Sequence, residues 1–234
     1  MEKKVRTVPS VMENLLPKLL QDVQVPGALP AKNRSESMKV IGITGGIASG
    51  KSTITKYIEN KGIPVIDGDR VSREVVLPGS EALLKIEEEF GKEYILPDGS
   101  LDRKKMGQHV FNNPLERKKL EGILHPIIRN EFIKKINGYK MNPEINLVLL
   151  DAALLIESKM TDLTDSLWLV YADKDVQVER VMARDKVSEK VALSIINSQM
   201  LLSDKKKYAD EIIDNNKGFS EVYEKVESLL KKYS

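Results

Sequence analysis

From Met38 onward, short runs of consecutive apolar residues alternate with longer stretches in which apolar residues recur every three or four positions. The short runs are Lys39–Thr44, Ile63–Asp67, Asn146–Asp151, Leu167–Tyr171 and Glu211–Asp214, and they read as strands. Most are apolar throughout rather than alternating, the pattern of strands buried on both faces. The longer stretches predict helices over Ser52–Asn60, Ala82–Phe90, Arg103–Asn112, Pro114–Tyr139, Asp175–Asp185, Ser188–Tyr208 and Ser220–Lys232. Lys61-Gly62 closes the first of these. Breaks are expected at Asn113-Pro114 and at His125-Pro126, because proline lacks an amide hydrogen and crowds the preceding turn. Pro97-Asp98-Gly99 marks a turn-rich link over Gly91–Ser100. Strands alternating with helices imply an α/β fold, a five-stranded parallel sheet flanked by helices. The helices between Ile63–Asp67 and Asn146–Asp151 exceed simple alternation and read as an inserted lobe.

Residues 1–37 differ. Met12, Leu15, Leu16, Leu19 and Leu20 have helical spacing, while Pro26, Gly27, Pro30 and the polar stretch 32–37 read as a linker. This segment reads as a flexible or non-native extension, with a docking helix as the alternative. Residues 38–234 carry the domain proper.

Composition narrows the functional classes. Hydrophobic residues make up 41% of the 234 and charged residues 31%, an ordinary globular balance. With Lys+Arg at 37 and Asp+Glu at 35, the net charge of +2 argues against nucleic-acid or membrane-surface binding. The absence of cysteine excludes disulfides and thiolate metal sites, and two histidines make a histidine zinc site a poor fit. No apolar run approaches a membrane span or a signal peptide, so a cytoplasmic protein is expected, a monomer or weak homo-oligomer.

The chemistry begins at Gly45-Gly46-Ile47-Ala48-Ser49-Gly50-Lys51-Ser52, a complete G-x-x-x-x-G-K-[ST] phosphate loop between a predicted strand and a predicted helix. Its glycines let successive amides point inward at phosphate oxygens, and the helix start adds partial positive charge. Lys51 supplies a point charge for the β- and γ-phosphates, Ser52 a hydroxyl for Mg²⁺, and Thr53 support for the α-phosphate. The loop implies nucleoside triphosphate binding; alone it does not say what is done with it.

Asp67-Gly68-Asp69 ends the second strand, on the side of an open parallel sheet where ligands bind. Transfer of a phosphoryl group to a hydroxyl needs a carboxylate to take its proton. Asp69 is the candidate base, and Asp67 stands nearer the metal or holds the loop. A solvated Asp-Gly-Asp turn is the plain alternative. Val148–Asp151, an apolar strand ending in an acid, is a weak metal-holding pattern. Arg180 and Arg184 share a helix face and suit transition-state charge, or are a surface pair beside Glu179 and Asp185. His125 is either a substrate contact or a helix-end residue. Lys205-Lys206-Lys207 reads most simply as a solvated helix face.

Taken in order, these motifs resemble the dephospho-coenzyme A kinase family across about residues 38–232. Gly42–Thr53 matches the family's Gly-Ile-Thr-Gly-Gly-Ile-Ala-Ser-Gly-Lys-Ser-Thr. Ile66–Asp69 is similar to Ile-Asp-Ala-Asp, with Gly68 in place of alanine. Arg73-Glu74-Val75-Val76 before Pro78-Gly79, Phe90-Gly91, Asp98–Arg103, Phe111–Pro114 and Leu124-His125-Pro126 follow in family order. Leu154–Glu157 resembles Pro-Leu-Leu-Phe-Glu, with Ala153 where proline is usual. Gln177, Arg180, Arg184-Asp185, Gln199, Ala209-Asp210 and Ile213-Asp214-Asn215 complete the series. Ile195 stands where many members carry arginine.

The resemblance implies a P-loop kinase that uses ATP to phosphorylate the ribose 3′-hydroxyl of dephospho-CoA. It implies an acceptor-binding helical lobe over about 78–142 and a lid over about 184–200. It assigns Lys51, Gly50, Ser52, Thr53 and Asn215 to the nucleotide, Asp69 to the acceptor hydroxyl and Arg184 to the lid. Arg73, Arg103, His125 and Glu157 fall on the acceptor side. Two rivals are a P-loop kinase for another small acceptor and a nucleotide-dependent switch or scaffold; the Asn-Lys-x-Asp of a GTPase is absent.

Overall fold

The computed structural model describes residues 38–111, 113–216 and 219–233. The helix expected around 12–20 and the linker after it lie outside the described residues.

Five strands form one parallel sheet: β1 (Lys39–Gly45), β2 (Val65–Asp67), β3 (Leu147–Asp151), β4 (Ser166–Tyr171) and β5 (Glu211–Asp214). Their spatial order is β2-β3-β1-β4-β5. The chain leaves the central β1 toward one edge and then continues on its other side, so a crevice opens above the carboxyl end of β1. Register sets Ile43 opposite Asp151 on β3 and Thr44 opposite Leu169 on β4.

The strands explain their own apolarity. Ile41, Ile43, Leu147, Leu149, Trp168 and Val170 face α1 (Lys51–Glu59) and α9 (Phe219–Tyr233), meeting Ile54, Ile58, Val222, Val226 and Leu229. Val40, Val148, Leu150 and Leu167 face the other way. There they meet the helices between β2 and β3: α2 (Gly68–Glu74), α3 (Glu81–Phe90), α4 (Arg103–Phe111) and α5 (Pro114–Lys140). Each such side chain contributes roughly 1.5–3 kcal/mol when fully buried.

Local chemistry sets the element ends. Ser80 caps α3 by accepting from the Leu83 amide at 3.3 Å, and Gly91 stops it at φ 101°. Asn113 caps α5, with Pro114 in the first turn where a missing amide hydrogen costs nothing. Beyond β4 come α6 (Lys174–Asp185), α7 (Glu189–Ile196) and the short α8 (Leu202–Lys205).

Three expectations need correction. The break at His125-Pro126 does not occur: α5 runs through Pro126 as one helix of 27 residues. Proline removes one bond, to the Gly122 carbonyl a turn earlier, whereas Phe132 and Ile136 and their half-buried neighbours on both sides of Pro126 hold the helix to the core. Residues 188–208 are not one helical region but α7, α8 and a 3₁₀ turn at Lys206–Tyr208, because Met200 and Leu202 turn inward to separate neighbours. Lys205 is not on a solvated face: its side chain is 0% exposed.

Candidate active site

The phosphate loop joins β1 to α1. Its inward amides require outward carbonyls, and each carbonyl must find a donor or be left costly and bare. The structure supplies one for each in turn. Gln177 Nε2 donates to the Ile47 carbonyl at 2.6 Å, Arg180 Nη1 to that of Ala48 at 3.3 Å, and Asn215 Nδ2 to that of Ser49 at 2.7 Å. The Ser49 amide donates to the Gly46 carbonyl at 3.1 Å. Arg180 Nη2 also donates to the Asn215 carbonyl at 2.7 Å, tying α6 to the end of β5. The loop's backbone is unusual at Ala48, with φ 59°, and at Gly50, with φ 93°. Gly50 has a steric reason too: a Cβ there would stand 2.1 Å from Asn215 Nδ2.

Above the loop lies a cleft of about 560 Å³, lined by Gly46, Ala48, Gly50, Lys51, Ser52 and Thr53 below and by Asp69, Arg180, Arg184 and Gln199 around it. It thus gathers the loop, Asp69 and Arg184. Lys51 is ion-paired with Asp151 at the end of β3. Asp151 also lines a second cleft of similar size along the edge strand β2, with Asp67, Arg70, Lys135 and Tyr139. The Lys51–Asp151 pair therefore stands where the two hollows meet.

Asp67 caps α2: its Oδ1 accepts from the amides of Asp69 and Arg70 at 2.8 and 3.0 Å. This fixes the turn and turns Asp69 toward the phosphate loop, on a helix the sequence reading did not foresee. Gly68 lets that turn sit close to the exit of β3; a Cβ there would lie 2.7 Å from that of Ala152.

Arg184 is exposed and bidentate with Asp185, at 2.7 and 2.8 Å, which raises the guanidinium's affinity for its proton and holds Asp185 below the usual carboxylate range. Arg103 Nη2 donates to the Arg73 carbonyl at 3.2 Å, so those two meet at the junction of α2 and α4. His125 is half-buried in the middle of α5. Asn215, assigned by resemblance to the nucleotide, is 1% exposed and reaches the loop from behind.

Glu157 Oε1 pairs with Lys205 at 2.9 Å and accepts from the Met200 amide at 3.3 Å. Neither Lys205 nor the loop-tying role of Gln177 was legible in the sequence. Gln177 belonged to a recognisable motif, but nothing local shows which carbonyl an amide will reach.

The geometry is that of a kinase site, and comparison with known proteins agrees. The family model for dephospho-CoA kinase matches residues 39–221. A dephospho-CoA kinase of Oceanobacillus iheyensis is 44% identical over 195 residues, covering 83% of this chain and 98% of that protein. One from Carboxydothermus hydrogenoformans is 40% identical, covering 84% and 95%. Among solved structures, a Thermus thermophilus protein superposes with a TM-score of 0.72 at 28% identity, covering 85% of this chain and 100% of its own. The dephospho-CoA kinase of Campylobacter jejuni gives 0.63 at 26%, covering 83% and 98%. The phosphate loop, the carboxylates beside it and these matches across most of the chain lead to one conclusion: the chain belongs to the dephospho-CoA kinase family.

Proposed function

We propose that the cleft holds ATP on the phosphate loop with the ribose 3′-hydroxyl of dephospho-CoA at Asp69, and that Asp69 takes the hydroxyl proton. The reaction is ATP-dependent phosphorylation of dephospho-CoA to CoA with release of ADP, the last step of coenzyme A biosynthesis. The observation that carries the residue assignment is the shared lining: Asp69, Lys51, Ser52 and Arg184 face one cleft.

The 3′-oxygen forms a bond to the γ-phosphorus, the bond from that phosphorus to the β–γ bridging oxygen breaks, and the proton passes to the Asp69 carboxylate. Lys51 exchanges Asp151 for phosphate oxygens and meets the charge that grows on them. Arg184 exchanges Asp185 for the same charge when the lid, about 184–200, closes and excludes water.

No group of three or more acidic or histidine side chains suited to a metal occurs among the described residues. Mg²⁺ is a hard cation that calls for oxygen donors, and the cleft offers a hydroxyl and nearby carboxylates. The Ser52 hydroxyl, with Asp67 or the Asp151 freed from Lys51, would hold it. When bound, Mg²⁺ would supply positive charge against the developing charge of the triphosphate.

Arg73, on α2, and Arg103 and His125, on the helical lobe of about 78–142, form the acceptor side. Glu157, paired with Lys205, is the fourth acceptor-side residue. No helix among the described residues is long and apolar enough to cross a membrane, and a monomer or weak homo-oligomer working in the cytoplasm suits a small-molecule kinase. ADP release measured with ATP, Mg²⁺ and dephospho-CoA, beside AMP and no-acceptor controls, tests this reading. CoA formation dependent on dephospho-CoA is expected; turnover with another acceptor alone would overturn the substrate.

A further inference from the structure

A lysine with no exposed surface lies beneath the nucleotide site, in none of the roles above. Lys205 ends α8. Its ammonium has three donors and faces three acceptors: the Ala153 carbonyl at 2.6 Å, Glu157 Oε1 at 2.9 Å and, at longer range, the Gly45 carbonyl at 3.5 Å. Gly45 is where β1 becomes the phosphate loop, and Ala153 lies two residues beyond Asp151, the partner of Lys51. The Ala153 carbonyl also accepts from Thr44 Oγ1 at 2.9 Å, so β1, the β3 exit and α8 meet on one oxygen.

We infer that Lys205 is a positioning residue for ATP: its buried ammonium fixes the spacing between the first carbonyl of the phosphate loop and the exit of β3, which carries the partner of Lys51. Glu157 neutralises the ammonium and, by accepting from the Met200 amide, ties in the chain just before α8. Leu202, on the same short helix, packs on Gly46, where a Cβ would stand 3.0 Å from Leu202 Cγ. The loop is thus held from below by α8 as it is held from the side by Gln177, Arg180 and Asn215.

Stability alone gives a weaker account. A buried ion pair is often replaced by apolar side chains with no loss of stability, whereas removing one partner strands the other charge. Burial pushes the Lys205 ammonium below the ordinary lysine range, with the Glu157 contact opposing. The charge is held there against its desolvation cost, where the Ala153 and Gly45 carbonyls accept from it.

The inference rests on the phosphate-loop reading, and its test separates the two. Binding of a non-hydrolysable Mg-ATP analogue is titrated by calorimetry for the parent, Lys205→Met, and Lys205→Met/Glu157→Gln, with Tm and kcat measured beside it. Lys205→Met strands Glu157 and is expected to lower Tm. The double variant carries no stranded charge and is expected to recover Tm while still binding the analogue roughly tenfold more weakly than the parent, with lower kcat. Recovery of both Tm and analogue affinity to within about twofold of the parent would show a structural pair only and overturn the inference. A parent that fails to bind the analogue would overturn the phosphate-loop reading and this inference with it.

Discussion

Asp69 and Lys51 share a cleft lining but have different partners before substrate arrives. Lys51 is held by Asp151, while the Asp69 amide donates to Asp67. Asp69→Asn keeps the shape and removes the proton acceptor. Turnover should fall by about 10²–10⁴-fold with ATP affinity little changed. Steady-state kinetics with analogue titration checks this, and near-parental kcat would remove Asp69 from the role of base. Lys51→Ala removes transition-state charge and strands Asp151 at the end of a buried strand. A loss of roughly 10²-fold or more in kcat/KM is expected, and an unchanged value would count against the loop's role. Both side chains were found in the sequence, because the loop motif and the strand-end acid are local patterns. Lys205 was not: in the sequence it is the first of three lysines, and only folding separates it from the exposed Lys206 and Lys207.

At the scale of elements, Gln177 and Arg180 of α6 and Asn215 just after β5 act on the nucleotide site by holding the loop's outward carbonyls. Gln177→Ala would leave the Ile47 carbonyl bare while keeping the helix. A cost of about 1–3 kcal/mol in stability is expected, with weaker ATP binding and an unchanged acceptor KM. Urea unfolding followed by the fluorescence of Trp168, the single tryptophan, 0% exposed in the core, gives the stability arm. A loss of acceptor affinity alone would show that the loop does not depend on this bond. Helix α5 offers the opposite test. Pro126 is exposed inside a continuous helix, so Pro126→Ala restores one backbone bond and should stabilise the protein, by up to ~3 kcal/mol, seen as a higher urea midpoint. A lower midpoint would mean that the proline itself is needed for packing. Helix existence was readable from periodicity; continuity through Pro126 was not, because burial of Phe132 and Ile136 outweighs one lost bond.

For the whole molecule, the surface charges predict the response to acid. Glu211 is held below the usual glutamate value of 4.5 by Lys232 and Lys225, which bind α9 to β5. Glu74, beside Arg70 and Lys135, and Asp162, beside Arg129, are lowered likewise. A carboxylate depressed in the folded state adds stability above its unfolded pKa, and this is lost as pH falls through its folded value. Tm should therefore be nearly level from pH 7 to about 5 and fall below about 4, the fall being smaller in Glu211→Gln. A Tm that rises on acidification would contradict these pairings. Met38–Ser234 forms one compact unit and the family match begins at residue 39. Removal of residues 1–37 should then leave kcat/KM within about twofold of the full chain; a large loss would make that extension part of the enzyme.

The sequence by itself determined the strands, the phosphate loop, the flanking acids and the family, because each is written in neighbouring residues whose spacing is the signal. The parallel sheet followed from apolar runs that only burial on two faces explains. The tertiary structure alone decided which donors reach the loop's outward carbonyls. Gln177, Asn215 and Lys205 come from 130, 166 and 160 positions away, and the strand order β2-β3-β1-β4-β5 brings them together. It also decided that Glu157 turns to Lys205 and that Asp67 spends one oxygen on capping α2. The physical reason is common to all: inward amides force carbonyls outward, and the partner that satisfies a buried polar group is set by what packs against it.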